Sequence, residues 1–268
     1  MAILLVILLV LLGLYLLSLR GRKGHPGMEA IRGHAYAHRG LHGNGVPENS
    51  MAAFRAALEQ GYGIELDVHL CRDGSLAVMH DSLLRRTTGL DGKICDLTRE
   101  EWAAIRLEGT EETVPSFSQV LELFRGRQPM IIELKADGNN QAALCEAVCK
   151  ALEGYEGVYC LESFDPRCVW WLRKHRPDLI RGQLSENFFR SDLRTPWIIR
   201  FLMSTLIVNA LGRPDFVAYR FEHRNHPAMK LCRRLWGVAG VNWTIRSQAD
   251  FDTAVAEGYV PIFEGFRP

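Results

Sequence analysis

Most of the chain alternates between short strand-like apolar runs and longer stretches of helical periodicity. The strand-like runs cover 35–39, 63–70, 76–80, 130–134, 158–164, 181–185, 216–220, 238–243 and 259–263. Helix-like stretches lie between them at 50–60, 98–106, 116–125, 140–153, 165–176, 226–236 and 247–257. Ser50 suits an N-cap for the first of these helices, and Gly61 suits its stop. Strands alternating with helices imply right-handed βαβ units and a parallel sheet. Eight or so such units in about 235 residues predict a TIM (β/α)8 barrel over 34–268 rather than an open sheet.

Two segments break this rhythm. Residues 2–19, AILLVILLVLLGLYLLSL, carry no charge over eighteen positions. A helix of that length reaches roughly 27 Å, and it predicts a transmembrane anchor within 1–20. Nothing basic precedes the run, whereas Arg20, Arg22 and Lys23 follow it. An uncleaved single-pass anchor is therefore expected rather than a cleaved secretory signal, with the rest of the chain on the cytoplasmic face of the cell membrane. Residues 21–33 read as a short basic linker.

The second break, 186–215, is a hydrophobic insertion. Within it, 196–212 places Arg200, Ser204, Thr205 and Asn209 on one narrow face of a helix. The segment is too short, and too interrupted by Arg200, for a second span. It would either pack on the barrel or rest on a membrane beside the active site.

Composition adds little that is specific. The 32 basic and 31 acidic residues balance, so no nucleic-acid partner is expected. Seven scattered Cys without a C-x-x-C pair suggest neither a disulfide framework nor a zinc ribbon. Cys145 and Cys149 share a helix face and read as small core residues.

The candidate chemistry sits at strand ends. Glu65 and Asp67 are two apart in GIELDVHL and share a side, with Ile64, Leu66, Val68 and Leu70 on the other. Carboxylates inside a barrel near a strand's C-terminal end make sense as ligands for a hard cation, Mg²⁺ or Ca²⁺. Glu133 and Lys135 repeat the spacing in MIIELK, offering a third carboxylate and an ammonium for a bound anion. His38 and His80 stand at similar ends, and two imidazoles can take and give the protons of phosphodiester hydrolysis. Arg39 supplies donors suited to phosphate oxygens. His25 and His34 fall in the linker, His175 in a helix, and His69 is expected to face away from Asp67. His223 and His226 make at best a weak metal clip.

These residues resemble a known family. His38-Arg39-Gly40, Pro47-Glu48-Asn49-Ser50 with Ala53-Phe54, Glu65-Leu66-Asp67, Asp73-Gly74, His80-Asp81, Thr88-Gly89 and Glu133-Leu134-Lys135 are similar in order and spacing to glycerophosphodiester phosphodiesterases. Ser163-Phe164-Asp165 and Trp243-Thr244 look like later signatures of the same family, so the likeness covers roughly 34–268. It implies a TIM-barrel enzyme with His38 and His80 as the acid–base pair. Arg39 and Lys135 would contact phosphate, Glu65, Asp67 and Glu133 would hold one divalent cation, and Trp243 would lie near the substrate's alcohol moiety. The implied products are an alcohol and glycerol 3-phosphate. Family members commonly continue Trp-Thr-Val-Asn and end their last strand in a Thr-Asp-x-Pro-like turn. This chain has Trp243-Thr244-Ile245-Arg246 and Ile262-Phe263-Glu264-Gly265-Phe266, changes that bear on specificity. The main rival function is a membrane-associated lysophospholipase D acting on lysophospholipids, favoured by 2–19 and 196–212. A non-catalytic scaffold would have lost a motif residue, and none is missing from the first half.

Overall fold

The computed structural model describes residues 1–191 and 195–268; positions 192–194 of the expected insertion lie outside the described residues. Eight parallel strands close on themselves in the order β1 (Tyr36–His38), β2 (Gly63–Leu70), β4 (Met130–Leu134), β5 (Tyr159–Ser163), β6 (Arg181–Ser185), β7 (Phe216–Arg220), β8 (Ala239–Ile245) and β9 (Tyr259–Phe263). β9 pairs back onto β1. All nine expected strand segments form, but β3 (Leu76–Val78) runs antiparallel on β2 and stays outside the barrel. That hairpin opens a small lobe over 71–115 with its own core around Met79, Leu84, Ile94 and Trp102.

Strand alternation sorts the side chains into two layers. Ile64, Leu66, Val68, Ile132 and Leu134 face outward and pack with helices such as Met51–Glu59 and Phe117–Phe124. Tyr36, Ile131, Cys160, Phe216, Val241 and Ile262 point inward and fill the barrel. Space there is tight: a Cβ on Gly182 would come within 2.2 Å of the Phe216 ring. Further along the same inward rows, at the mouth, come His38, Glu133, Glu162, Arg220, Trp243 and Glu264. The barrel is thus apolar below and charged at its C-terminal mouth.

The N-terminal expectations need correction. The helix is Ala2–Ser18, 17 residues and roughly 26 Å long. Among the described residues no helix is long and apolar enough to cross a membrane. The physical reason lies at its C-terminal end, which the barrel takes up. Leu19 is fully buried in the core, Trp236 Nε1 donates to the Leu16 carbonyl (2.7 Å), and Arg213 Nη1 donates to that of Leu17 (2.9 Å). Residues beyond it also fold onto the barrel. Arg22 pairs with Asp215 through two 2.6 Å contacts, and the short helix Met28–Arg32 sends Met28 and Ile31 into the interior cluster.

The single helix expected over 196–212 is two, Trp197–Ser204 and Asn209–Gly212, broken where Leu206 takes φ 58° and drives its side chain into the core. Its polar face is partly the buried one. Ser204 and Asn209 are sealed inside, Ser204 Oγ accepting from the Phe188 amide (2.9 Å). Trp197, Ile198, Ile199 and Phe201 face solvent.

Candidate active site at the barrel mouth

Glu65 and Asp67 on β2 point inward, and the β2–β4 register sets Asp67 opposite Glu133. All three are buried, with carboxylate oxygens within 4.8 Å of one another. Oxygen donors at this spacing suit Mg²⁺ or Ca²⁺. Glu162, opposite Glu133 on β5, is a fourth buried acid whose Oε2 finds no hydrogen-bond donor. An unsatisfied carboxylate oxygen beside three others is the mark of a place prepared for positive charge.

Electrostatics point the same way. Burial, then the charges of Asp67 and Glu133, push the Glu65 carboxyl well up. Burial pushes Glu133 up to about 7, against the pull of Lys135. Burial also raises Glu162 strongly, with Glu133 and Asp67 adding to it. Asp67 alone goes down: burial acts against ionisation, but Lys135, His80, Arg39 and the Asn49 amide outweigh it. Lys135 Nζ lies 2.9 Å from Glu133 Oε1 and 3.1 Å from Asp67 Oδ1, and Asn49 Nδ2 donates to Asp67 Oδ2 at 2.8 Å.

His38 ends β1, and its Nδ1 is 2.5 Å from Glu264 Oε2. Burial works against Glu264 ionising, yet the His38 hydrogen bond and nearby cations hold its carboxyl down at about 2. Because a carboxylate only accepts, His38 carries its proton on Nδ1 and presents a bare Nε2, 3.9 Å from Glu65 Oε2. His80 is not at a barrel strand's end; it follows β3, where the Met79 amide bonds the Asp67 carbonyl (3.1 Å) and returns the chain over the mouth. Its Nδ1 pairs with Asp81 Oδ1 at 2.6 Å, which leaves Nε2 bare as well. Burial holds both imidazoles below their ordinary value, His38 to about 4.

Arg39 takes φ 54°, and its amide donates to Glu65 Oε2 (3.1 Å). Its guanidinium reaches Glu48 (2.9 Å), and Glu48 continues through Arg86 to Asp81 and so to His80. Gly40 follows at φ 81°, where a Cβ would lie 2.8 Å from the Ala53 backbone, so only glycine lets the loop lie on the helix Met51–Glu59.

The cavity among these groups is about 390 Å³, lined by His38, Arg39, Glu65, His80, Glu133 and Trp243, among others. Lys135 lines the adjoining hollow with His80 and Glu133. Trp243 meets Phe164 edge to face, ring centres 5.5 Å apart, and donates to the Ala218 carbonyl (3.2 Å). All eight residues singled out by sequence therefore converge on the mouth.

His69 does not face away from Asp67. Two-residue spacing puts it on Asp67's side, and its Nε2 bonds the His80 carbonyl (3.2 Å). The local pattern by itself assigns no role to Glu264, Glu162, Arg86 or Glu48. Glu162 is signalled by the acid inside VYCLESF and Glu264 by the departure at the end of the last strand, whereas Arg86 gives no local sign. His223 and His226 form no clip: each Nδ1 accepts a backbone amide, from Asn187 and Ala228.

Comparison with known proteins bears on this geometry. Residues 38–263 match the family model described as the glycerophosphoryl diester phosphodiesterase family. A glycerophosphodiester phosphodiesterase of Caldanaerobacter subterraneus is 36% identical over 232 residues, 83% of this chain and 89% of that one. One of Bacillus altitudinis is 41% identical over 130 residues, 45% of this chain and about half (53%) of the relative's length. Among solved structures, a phosphodiesterase of Oleispira antarctica in complex with the product sn-glycerol-3-phosphate superposes with TM-score 0.71 at 20% identity, covering 86% and 92% of the two chains. At that identity the likeness establishes the barrel.

Proposed function

The chain belongs to the glycerophosphoryl diester phosphodiesterase family, and on that premise we propose that it hydrolyses glycerophosphodiesters to an alcohol and glycerol 3-phosphate with one divalent cation. The observation that carries this reading is the pair of imidazoles at the mouth, each with Nδ1 tied to a carboxylate and Nε2 bare, flanking Glu65, Asp67 and Glu133.

Glu65, Asp67 and Glu133 would hold Mg²⁺ or Ca²⁺, which when bound supplies Lewis-acid stabilisation of a phosphate oxygen and compensates the acids' charge. Arg39 and Lys135 orient the phosphodiester through its remaining oxygens. His38 and His80 form the acid–base pair. One Nε2 takes the proton from the attacking oxygen, and the other imidazole, protonated, delivers a proton to the leaving alkoxide. Burial that keeps both imidazoles neutral at pH 7 favours the base role, and the phosphate's negative charge restores basicity for the acid role. Trp243 and Phe164 form the apolar side of the cavity, where the alcohol moiety would rest.

The test is release of glycerol 3-phosphate from glycerophosphocholine and glycerophosphoethanolamine by the full chain, with Mg²⁺, Ca²⁺ or EDTA. Cation-dependent release, lost in Glu65→Ala and His80→Ala with native circular dichroism, is expected. Cation-independent turnover, or full activity in either variant, would refute it.

A second reading concerns where the substrate resides. The exposed apolar faces of Trp197–Ser204 and of the helix Ala2–Ser18 favour contact with a lipid surface at the cell membrane, the barrel lying on its cytoplasmic side. That placement would admit lysophospholipids as substrates. Flotation of the full chain with anionic vesicles, set against Trp197→Asp/Phe201→Asp, tests the contact. Binding that survives both that pair and removal of residues 2–18 excludes it.

A further inference from the structure

Next to the all-oxygen cluster lies a second group of ligating atoms with different chemistry. His38, His42 and Glu264 each offer one donor atom, and these lie within 4.8 Å of one another. His42 belongs to the loop between β1 and the helix Met51–Glu59, and it plays no part in the proposed reaction. Its Nε2 is buried without a hydrogen-bond partner, which leaves a polar nitrogen costly as it stands. Glu264 divides its oxygens: Oε1 faces the half-exposed Arg246 at 3.4 Å, and Oε2 faces His38 Nδ1. The oxygen on the imidazole side is thus already paired with His38, and a cation there would take the place of the proton between them.

We propose that His38, His42 and Glu264 form a second cation site, selective for a borderline transition-metal ion such as Zn²⁺, whose occupation switches the enzyme off. The inference rests on the assignment of His38 to the acid–base pair. Ligand chemistry separates the two sites. Mg²⁺ and Ca²⁺ prefer the oxygen-only set of Glu65, Asp67 and Glu133, whereas two imidazoles and one carboxylate are a donor set for Zn²⁺. Zn–N and Zn–O bonds of about 2.0–2.2 Å require the donors to stand roughly 3.5 Å apart. The loop that carries His42 continues through Gly43 at φ 111° and Gly45 at φ 86°, which lets the donors adjust to that spacing.

The inhibitory consequence follows from proton accounting. Zn²⁺ on His38 Nδ1 displaces the proton now shared with Glu264, and the ring stays neutral by taking a proton at Nε2 through solvent. A neutral imidazole with metal on Nδ1 carries its one N–H at Nε2, so it no longer accepts a proton from an attacking oxygen.

The test uses the full chain with saturating Ca²⁺, so that the oxygen cluster is filled. Calorimetric titration with Zn²⁺ should show one further binding event that is absent in His42→Gln and retained in Glu65→Ala. Turnover of glycerophosphocholine should fall at least about tenfold with saturating Zn²⁺. His42→Gln, active without zinc, should keep its activity in the same titration. No second event, or one unchanged in His42→Gln, overturns the site. An event lost in Glu65→Ala instead assigns the zinc to the oxygen cluster and equally overturns it. Zinc binding that depends on His42 but leaves turnover intact refutes the switch and removes His38 from the acid–base pair. The binding arm separates these failures from a chain that simply lacks phosphodiesterase activity.

Discussion

Replacing Glu133 with Gln tests the electrostatic design of the mouth most directly. Glu133 is buried opposite Asp67, and its carboxyl is raised from 4.5 to about 7, mainly by burial. A carboxyl whose folded pKa lies above its unfolded one costs nothing when both states are protonated. It destabilises the fold progressively as pH rises from about 4.5 to about 7. Each unit of difference is about 1.4 kcal/mol, so the cost at neutral pH is on the order of 3 kcal/mol. Glu133→Gln removes that ionisation and keeps an amide oxygen able to accept from Lys135. In urea denaturation with EDTA, the wild type should lose stability relative to the variant by about 3 kcal/mol between about pH 4.5 and about pH 7.5. Saturating Mg²⁺ or Ca²⁺ should then restore the wild type at neutral pH, because binding a cation to the ionised cluster is linked to folding, and leave Glu133→Gln nearly unchanged. A stability gap that is the same at both pH values refutes the reasoning. So does equal stabilisation of both proteins by the cation.

Glu264→Gln removes the anion that raises His38. Its kcat should fall about tenfold with KM nearly constant, and the acid limb of the kcat–pH profile should move to lower pH. An unchanged profile would deny Glu264 a positioning role. Asp73 accepts the Arg99 amide (2.8 Å) and the Ser75 hydroxyl (2.6 Å), and these bonds, the Arg99 one first, lower its carboxyl to about 2. Its contribution is complete above about pH 4 and is lost as pH falls through about 2, so Asp73→Asn should flatten that part of the acid-unfolding curve, followed by circular dichroism. Gly40→Ala combines φ 81° with a Cβ 2.8 Å from the Ala53 backbone, and should cost about 1–3 kcal/mol in urea denaturation. A loss under about 0.5 kcal/mol would show that the loop can move away from the helix.

Local pattern determined much of this protein. The two-residue period of GIELDVHL and MIIELK set Glu65, Asp67 and Glu133 on the inner side, and alternating strands and helices implied a closed parallel barrel, because such rules act between near neighbours in the chain. The same period applied to His69 would have placed it beside Asp67, where it supports the His80 carbonyl. Other features required the folded chain. That β3 leaves the barrel to return His80 over Asp67 depends on the antiparallel pairing Val68–Val78, which short apolar runs do not specify. Glu264 meets His38 only because β9 closes on β1, 226 residues away in sequence. The N-terminal apolar run and 196–212 each carry a helical pattern, for which the sequence suggests a bilayer in the first case and the barrel or a membrane in the second. Tertiary packing buried Leu19 and Leu206, ended one helix and broke the other, because burial against a formed core outweighs a few residues of helix propensity.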